Sequence, residues 1–331
     1  MTAKMYSLTT CVALGVLLGA CNPTPSVTYT PPKTGTVNGY TIDATNKDTI
    51  KFNVSALDDG GKVILNGKID SFTVKVDEVT GNPESNNAAD VTATTTICGQ
   101  YTSAGGPITC AVVLDASSSM TSTDPDEKRS EAAKQFVGRI SSTDQVAVAN
   151  FGAGGKDPYE DLHVYQSFTA DKALLNKAID DATKATGSTP LWESTVEATD
   201  LLSKAAGNNK IALVLTDGQA NGTGNVDTTI AAAQKANVKL FMVGLAKGQI
   251  DERDMQKAAQ MTGGLYSKVT EAAQLNDLFN KAFNQSQAFA CLQVVFKLKG
   301  KVPAAGTEIK GTLTIKMNGG QFVAPYAVTF L

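Results

Sequence analysis

Ala111-Val112-Val113-Leu114-Asp115-Ala116-Ser117-Ser118-Ser119 is the stretch that decides the fold. A near-continuous apolar run ending on an aspartate reads as a parallel strand covered on both faces, because a half-exposed strand would alternate apolar with polar residues. Three further runs repeat it: Val146 to Phe151, Ile211 to Leu215 and Leu240 to Leu245. Between them the apolar period lengthens to that of a helix, over 171–184, 191–206, 227–237, 252–261 and 271–287. Ahead of the second run, Asp124-Pro125-Asp126-Glu127 offers a cap, a proline for the first helical position and a capping-box glutamate, and Ala133, Phe136, Val137 and Ile140 follow at helical spacing. Strands alternating with helices predict an α/β doubly wound, mostly parallel sheet over residues 109–287.

Outside that span the period drops to two. Ile50 to Val54, Phe72 to Val76 and Val91 to Ile97 on one side, and Leu292 to Leu298, Ile309 to Met317 and Phe322 to Phe330 on the other, read as antiparallel strands. Neither side has strands enough to bury both faces of a sandwich alone. The expected architecture is therefore the α/β domain inserted into or flanked by an antiparallel β-sandwich, with 38–108 and 288–331 as its two parts. Two separate small β modules are the alternative.

The amino end has its own pattern. Residues 1–20 combine Lys4 with an apolar stretch from Cys11 to Leu18, a secretory signal too short to span a bilayer. Leu18-Gly19-Ala20-Cys21 resembles the bacterial lipobox, which implies a lipid-anchored Cys21 at the mature amino end; an ordinary signal peptide is the other possibility. Residues 21–37, rich in Pro and Thr, then form an extended tether. The expected location is extracytoplasmic, on a bacterial cell envelope, at the outer membrane or cell surface. Of the five cysteines, setting Cys11 and Cys21 aside leaves Cys98, Cys110 and Cys291. Cys110 sits inside an apolar run where a thiol behaves as a small apolar group. A Cys98 to Cys291 bridge is expected, with Cys98 to Cys110 and Cys110 to Cys291 as alternatives. A net charge of -3 over 331 residues, with no Lys/Arg run, excludes nucleic acid as an expected partner.

Asp115 and the two alternate serines, Ser117 and Ser119, can turn their oxygens toward one point at a strand end. Thr189, in Gly187-Ser188-Thr189-Pro190-Leu191, offers a third hydroxyl, and Asp217, after the run Ile211 to Leu215, a second carboxylate. Hydroxyl and carboxylate oxygens without His or Cys select a hard cation, Mg²⁺ or Mn²⁺, in octahedral geometry. With these residues in view, the segment resembles a von Willebrand factor type A domain, whose Asp-x-Ser-x-Ser, later Thr and Asp-Gly positions are matched by Asp115, Ser117, Ser119, Thr189, Asp217 and Gly218. The resemblance implies direct approach of Ser117, Ser119 and Thr189 to the ion, with Asp115 and Asp217 acting partly through water. It further implies one position open to a carboxylate of a partner protein.

Other features are weaker. His163, the single histidine, lies in an alternating run expected to form an edge hairpin. Gly152 to Asp157 fails the phosphate-loop pattern, because Asn150 stands at the first glycine position and Asp157 follows Lys156. Trp192 reads as packing beneath the Thr189 loop, and Asn221, Gly222 and Gly224 as a loop beyond Asp217. No nucleophile and base pair can be assembled, so no catalytic residue is assigned and no enzyme is expected. The expected function is a metal-dependent protein-binding or adhesion module on the envelope; a structural or assembly subunit of an envelope complex is the alternative.

Overall fold

The computed structural model describes residues 29–43, 45–103, 106–184, 187–245, 251–269 and 274–330. The leader, Cys21 and the first part of the tether lie outside the described residues, as does the expected start of the last helix at 271–273. Four strands come first: β1 (Thr34–Ile42), β2 (Thr49–Leu57), β3 (Ile69–Thr80) and β4 (Val91–Ser103). The α/β segment runs β5 (Ile108–Asp115), α1 (Met120–Thr123), α2 (Lys128–Arg139), β6 (Gln145–Phe151), β7 (His163–Thr169), α3 (Lys172–Ala182), α4 (Leu191–Lys204), β8 (Asn209–Thr216), α5 (Val226–Lys235), β9 (Val238–Leu245), α6 (Glu252–Met261), β10 (Leu265–Val269) and α7 (Leu275–Gln287). β11 (Ala288–Leu298), β12 (Glu308–Met317) and β13 (Gly320–Thr329) follow.

Six strands make one sheet in the order β10-β9-β8-β5-β6-β7, parallel except for β7, which pairs antiparallel with β6 at the edge. Side-chain alternation within β5 explains its unbroken apolar run. Cys110, Val112 and Leu114 join a buried cluster with Phe136 of α2, Ile179 of α3 and Phe279 of α7. Ala111 and Val113 join a second, with Leu202 of α4, Ile230 of α5 and Met255 of α6. Both faces exclude water, and each buried aliphatic side chain contributes about 1.5–3 kcal/mol. The neighbours of β5 are β6 on one side and β8 on the other, so the strand order reverses there and a crevice opens at the carboxyl end of β5.

Besides β1, which begins at Thr34 inside the stretch expected as tether up to 37, two elements depart from the sequence pattern. Helix α2 begins at Lys128 rather than at Pro125, because the short helix α1 must first be closed and turned, and Glu127 takes a left-handed φ of 52° to do so. Asp124 still caps α2 from outside: its carboxylate accepts Lys128 N at 2.7 Å and Arg129 N at 3.1 Å, and pairs with the buried Arg129 guanidinium at 2.7 Å. Strand β10 is the second departure. Leu265-Tyr266-Ser267-Lys268-Val269 is short and mixed, and pairs with β9 only because α6 returns the chain to that edge.

The remaining strands form a four-stranded sheet, order β1-β2-β11-β4, and a three-stranded sheet, order β13-β12-β3, both antiparallel. Burial along β11 alternates without exception, and Leu292, Val294 and Phe296 share one cluster with Phe52, Val54, Leu313, Ile315 and Tyr326. Each sheet thus mixes strands from before and after the α/β segment. The chain leaves the four-stranded sheet through β4 and returns through its neighbour β11, where Ser103 lies opposite Ala288. Cys98 on β4 and Cys291 on β11 are joined in a disulfide, Cα atoms 5.1 Å apart, and Cys110 is a buried free thiol. Among the described residues no helix is long and apolar enough to cross a membrane.

Candidate metal centre

Asp115 closes β5 and is wholly buried, yet it is not bare. Its Oδ1 accepts Ser117 N at 2.7 Å, which curls the chain into the serine turn; its Oδ2 accepts Thr216 Oγ1 at 2.7 Å and Asp217 N at 3.4 Å, which ties β5 to the end of β8. Burial, with the nearby Asp217 charge adding to it, raises this carboxyl from 3.8 to about 6 against the opposing hydrogen bonds from Ser117 and Thr216.

The oxygens of Ser117, Ser119 and Asp217 form a chain. Ser117 Oγ and Ser119 Oγ are 3.0 Å apart, and Ser119 Oγ donates to Asp217 Oδ1 at 2.8 Å. Adjacent ligands on an octahedral ion with bonds of about 2.1 Å stand about 3 Å apart, so this spacing is already that of neighbouring ligands. Asp217 Oδ2 is held from the other side by a very short hydrogen bond from Thr123 Oγ1 on α1.

Thr189 joins from the loop before α4. A methyl built on Gly218 would stand 3.8 Å from Thr189 Oγ1 and 3.9 Å from Ser119 Oγ, so the three loops converge around that glycine. Two contacts hold the Thr189 loop. Asn221 Oδ1 accepts Thr189 N at 2.8 Å while Thr189 O accepts Asn221 N at 3.1 Å, and Gly187 O accepts both Ser118 N and Ser118 Oγ at 3.2 Å. Gly187 has φ 85°, and a Cβ there would fall 1.9 Å from Gly152 O. Gly187→Ala should therefore cost about 2–3 kcal/mol of stability. It should also weaken Mg²⁺ binding about tenfold or more, because it moves the loop that supports the serine turn. Thermal unfolding and a Mg²⁺ titration check both; an affinity equal to wild type would sink the supporting role.

All five residues singled out in the sequence thus lie at one crevice, and the donor set fits a hard divalent cation. No group of three or more His, Cys, Asp or Glu side chains suited to a metal occurs among the described residues, so a cation here depends on hydroxyl ligands. Asp115, Asp217, Ser117 and Thr189 are buried, whereas Ser119 is exposed, which leaves the crevice open on that side.

Two contributors carry no separate sequence signal, and a third, Asn221, reads in the sequence only as part of the loop beyond Asp217. Thr216 precedes Asp217 on a buried strand where a hydroxyl needs a partner; Thr123 reaches Asp217 only because α1 folds back; Asn221 acts through its amide. Glu193 Oε1 accepts Gly224 N at 2.5 Å, and a Cβ on Gly222 would lie 2.1 Å from the same oxygen, so both glycines let the loop close over that carboxylate. Trp192 is buried with Leu202 and Ile230 beneath the loop. His163 stacks on Tyr165 at the sheet edge, ring centroids 4.3 Å apart.

Fold and crevice together define a doubly wound domain with an oxygen-lined crevice at its switch point. Residues 110–281 match the von Willebrand factor type A domain, and the chain belongs to that family. Domains of this family take a divalent metal at such a site, generally mediate metal-dependent protein interactions and are typically not enzymes. The chain is 26% identical over 180 residues to the uncharacterized protein YwmC of Bacillus subtilis (strain 168), covering 50% of this chain and 78% of that one. Among solved structures, proximal thread matrix protein 1 from the mussel byssus, in a form with a zinc-occupied MIDAS motif, is 19% identical with a TM-score of 0.48, covering 60% of this chain and 49% of that one. The chain thus spans about half the length of the mussel protein. A von Willebrand factor type A protein from Catenulispora acidiphila is 14% identical with a TM-score of 0.48, covering 80% of this chain and 74% of that one.

Proposed function

We propose that this chain is a metal-dependent protein-binding module displayed on a bacterial cell envelope, with a Mg²⁺ or Mn²⁺ ion bridging it to a carboxylate of a partner protein. The observation that carries this reading is that the Ser117 and Ser119 oxygens already stand at neighbouring-ligand spacing, with Asp217 hydrogen-bonded to Ser119 and the crevice open to solvent beside Ser119. Ser117, Ser119 and Thr189 would hold the ion directly, and Asp115 and Asp217 would balance its charge. The bound ion supplies a Lewis-acidic position for an external carboxylate. Around it the protein's own groups position and exclude: Thr216 and Thr123 fix the two carboxylates, and buried Trp192 and Leu191 floor the Thr189 loop.

Supporting the envelope location are the apolar leader and the lipobox-like Leu18-Gly19-Ala20-Cys21, with Cys21 as the proposed lipid anchor and the Pro/Thr-rich stretch as a spacer. The mixed strand composition of the two antiparallel sheets supports a single β-sandwich that carries the α/β domain as an insertion between 38–108 and 288–331.

The test is a crosslinking pull-down from intact cells with and without EDTA, run beside Asp217→Ala. Capture is expected to disappear under chelation and in the variant, and isothermal titration should show one Mg²⁺ or Mn²⁺ site in the wild type and none in Asp217→Ala. Capture that survives both, with the domain still folded by circular dichroism, would remove the metal bridge.

A further inference from the structure

Two unpaired polar atoms line a second cleft, whose walls include none of the five residues of the metal crevice. Asn38 Oδ1 and Gln260 Nε2 are buried without a hydrogen-bond partner, and both residues line one cleft of 1120 Å³, as does Tyr266, whose phenol interacts with Glu252. Asn38 is 2% exposed. Its Nδ2 donates to Ser55 Oγ at 2.7 Å, so its other amide atom alone is left over. A buried acceptor left unmade is costly, and its presence calls for a ligand or a reason. Asn38 is moreover the extra residue of a β-bulge: Val37 pairs with Val54 and Gly39 with Asn53, and Asn38 is skipped. Bulges on an edge strand re-aim a side chain.

The walls of the cleft are strand edges. β1 ends the four-stranded sheet and β10 ends the six-stranded one, so each keeps a row of backbone N–H and C=O groups without a strand partner. The two edges come close together: a methyl on Gly39 would fall 1.7 Å from Leu265 Cδ1.

Charge at the cleft is lopsided once ion pairs are set aside. Glu252 pairs with Lys268, Asp43 with Lys51, Glu308 with Lys310 and Lys281 with Asp277. Lys47 and Arg253 also line the cleft, and neither has a carboxylate partner among the described residues.

We propose that this cleft binds an extended acidic peptide segment of a partner protein, by strand addition at β1 or β10 with carboxylates against Lys47 and Arg253. A peptide backbone offers alternating donors and acceptors, which matches one free acceptor and one free amide donor. Strand edges supply main-chain hydrogen bonds, and the unpaired cations supply selectivity for acidic side chains. The volume exceeds the usual roughly 300–1,000 Å³ of small-molecule sites and suits a segment of several residues. A neutral saccharide could meet the two polar atoms but would use neither the strand edges nor the cations. This site is independent of the metal reading.

The test uses the intact chain in EDTA, so that no metal can capture carboxylates. A fluorescent pool of heptapeptides, alternating Val and Thr around a central Asp pair, is titrated by anisotropy against the same pool with Lys in place of Asp. Saturable binding of the acidic pool is expected, about tenfold or more weaker in Lys47→Glu/Arg253→Glu. Hydrogen exchange should slow over 37–42 and 265–269. Both substituted positions are exposed, and the milder Lys47→Gln/Arg253→Gln gives the same comparison if the charge reversal disturbs folding. Absence of saturable binding, equal binding of the lysine pool, or undiminished affinity in both double variants overturns the proposal.

Discussion

Asp115→Asn should stabilise the metal-free protein at neutral pH while abolishing its response to Mg²⁺. The carboxyl is fully buried, and burial raises it from 3.8 to about 6. A carboxyl whose pKa rises on folding favours the fold while it is protonated. Its contribution is complete below pH 3.8 and is lost as pH rises through about 6, a swing of ~3 kcal/mol. Asparagine is neutral throughout, but its amide nitrogen must face Thr216 Oγ1, which then has to turn and accept, and Asp217 N, whose long 3.4 Å bond is lost. A net gain of about 1–2 kcal/mol at pH 7 is expected after that adjustment. Urea denaturation in EDTA measures it, and the advantage should vanish at pH 4, where the wild-type carboxyl carries its own proton. With Mg²⁺ present the order reverses, because only the wild type gains binding energy. Protons and cation compete for the same carboxylate, so wild-type Mg²⁺ affinity should fall steadily below about pH 6. A variant no more stable than wild type at pH 7 in chelator would show that Asp115 is not held against its ionisation.

Loss of the Cys98–Cys291 disulfide should be the most damaging single chemical change. Its two residues are 193 positions apart, and closing a loop of that length restricts the unfolded chain by ~5 kcal/mol in the chain-entropy account, although about 2–4 kcal/mol is the usual yield. Cys98→Ala/Cys291→Ala should therefore lower stability by ~3–5 kcal/mol by guanidinium denaturation. The metal crevice, built wholly within the α/β domain, should retain its Mg²⁺ affinity wherever the variant is folded. A loss below about 1 kcal/mol would mean that the paired β4 and β11 already confine the unfolded ensemble by other means.

The central sheet was legible because burial on both faces writes itself into sequence as uninterrupted apolar runs. Val112 and Val113 face opposite clusters and neither can be polar. Asp115 and Asp217 were legible for the opposite reason, as charges ending runs that tolerate none. Thr123 was not, since it reaches Asp217 through a four-residue helix that leaves no periodic trace. The start of α2 was misplaced because Asp124 caps a helix that begins four residues later, with Glu127 absorbing the turn. β10 was invisible for want of length, and Asn38 because a bulge is defined by its partner strand.

The neighbouring positions of β4 and β11 have a mechanical consequence. α7 passes into β11 with no intervening residue, and Ser103 stands opposite Ala288, so both connections to the α/β domain emerge side by side. Tension arriving from a partner gripped at the crevice would load two adjacent strands in parallel. The covalent tie between Cys98 and Cys291 lies just beyond both attachment points, so the pull is shared before it reaches β2 or the three-stranded sheet. Shear along hydrogen-bonded strands must break many bonds together, whereas peeling breaks them one at a time. The bridge holds β4 against peeling from β11, and the antiparallel body would stay closed under a load that unzips its reduced form.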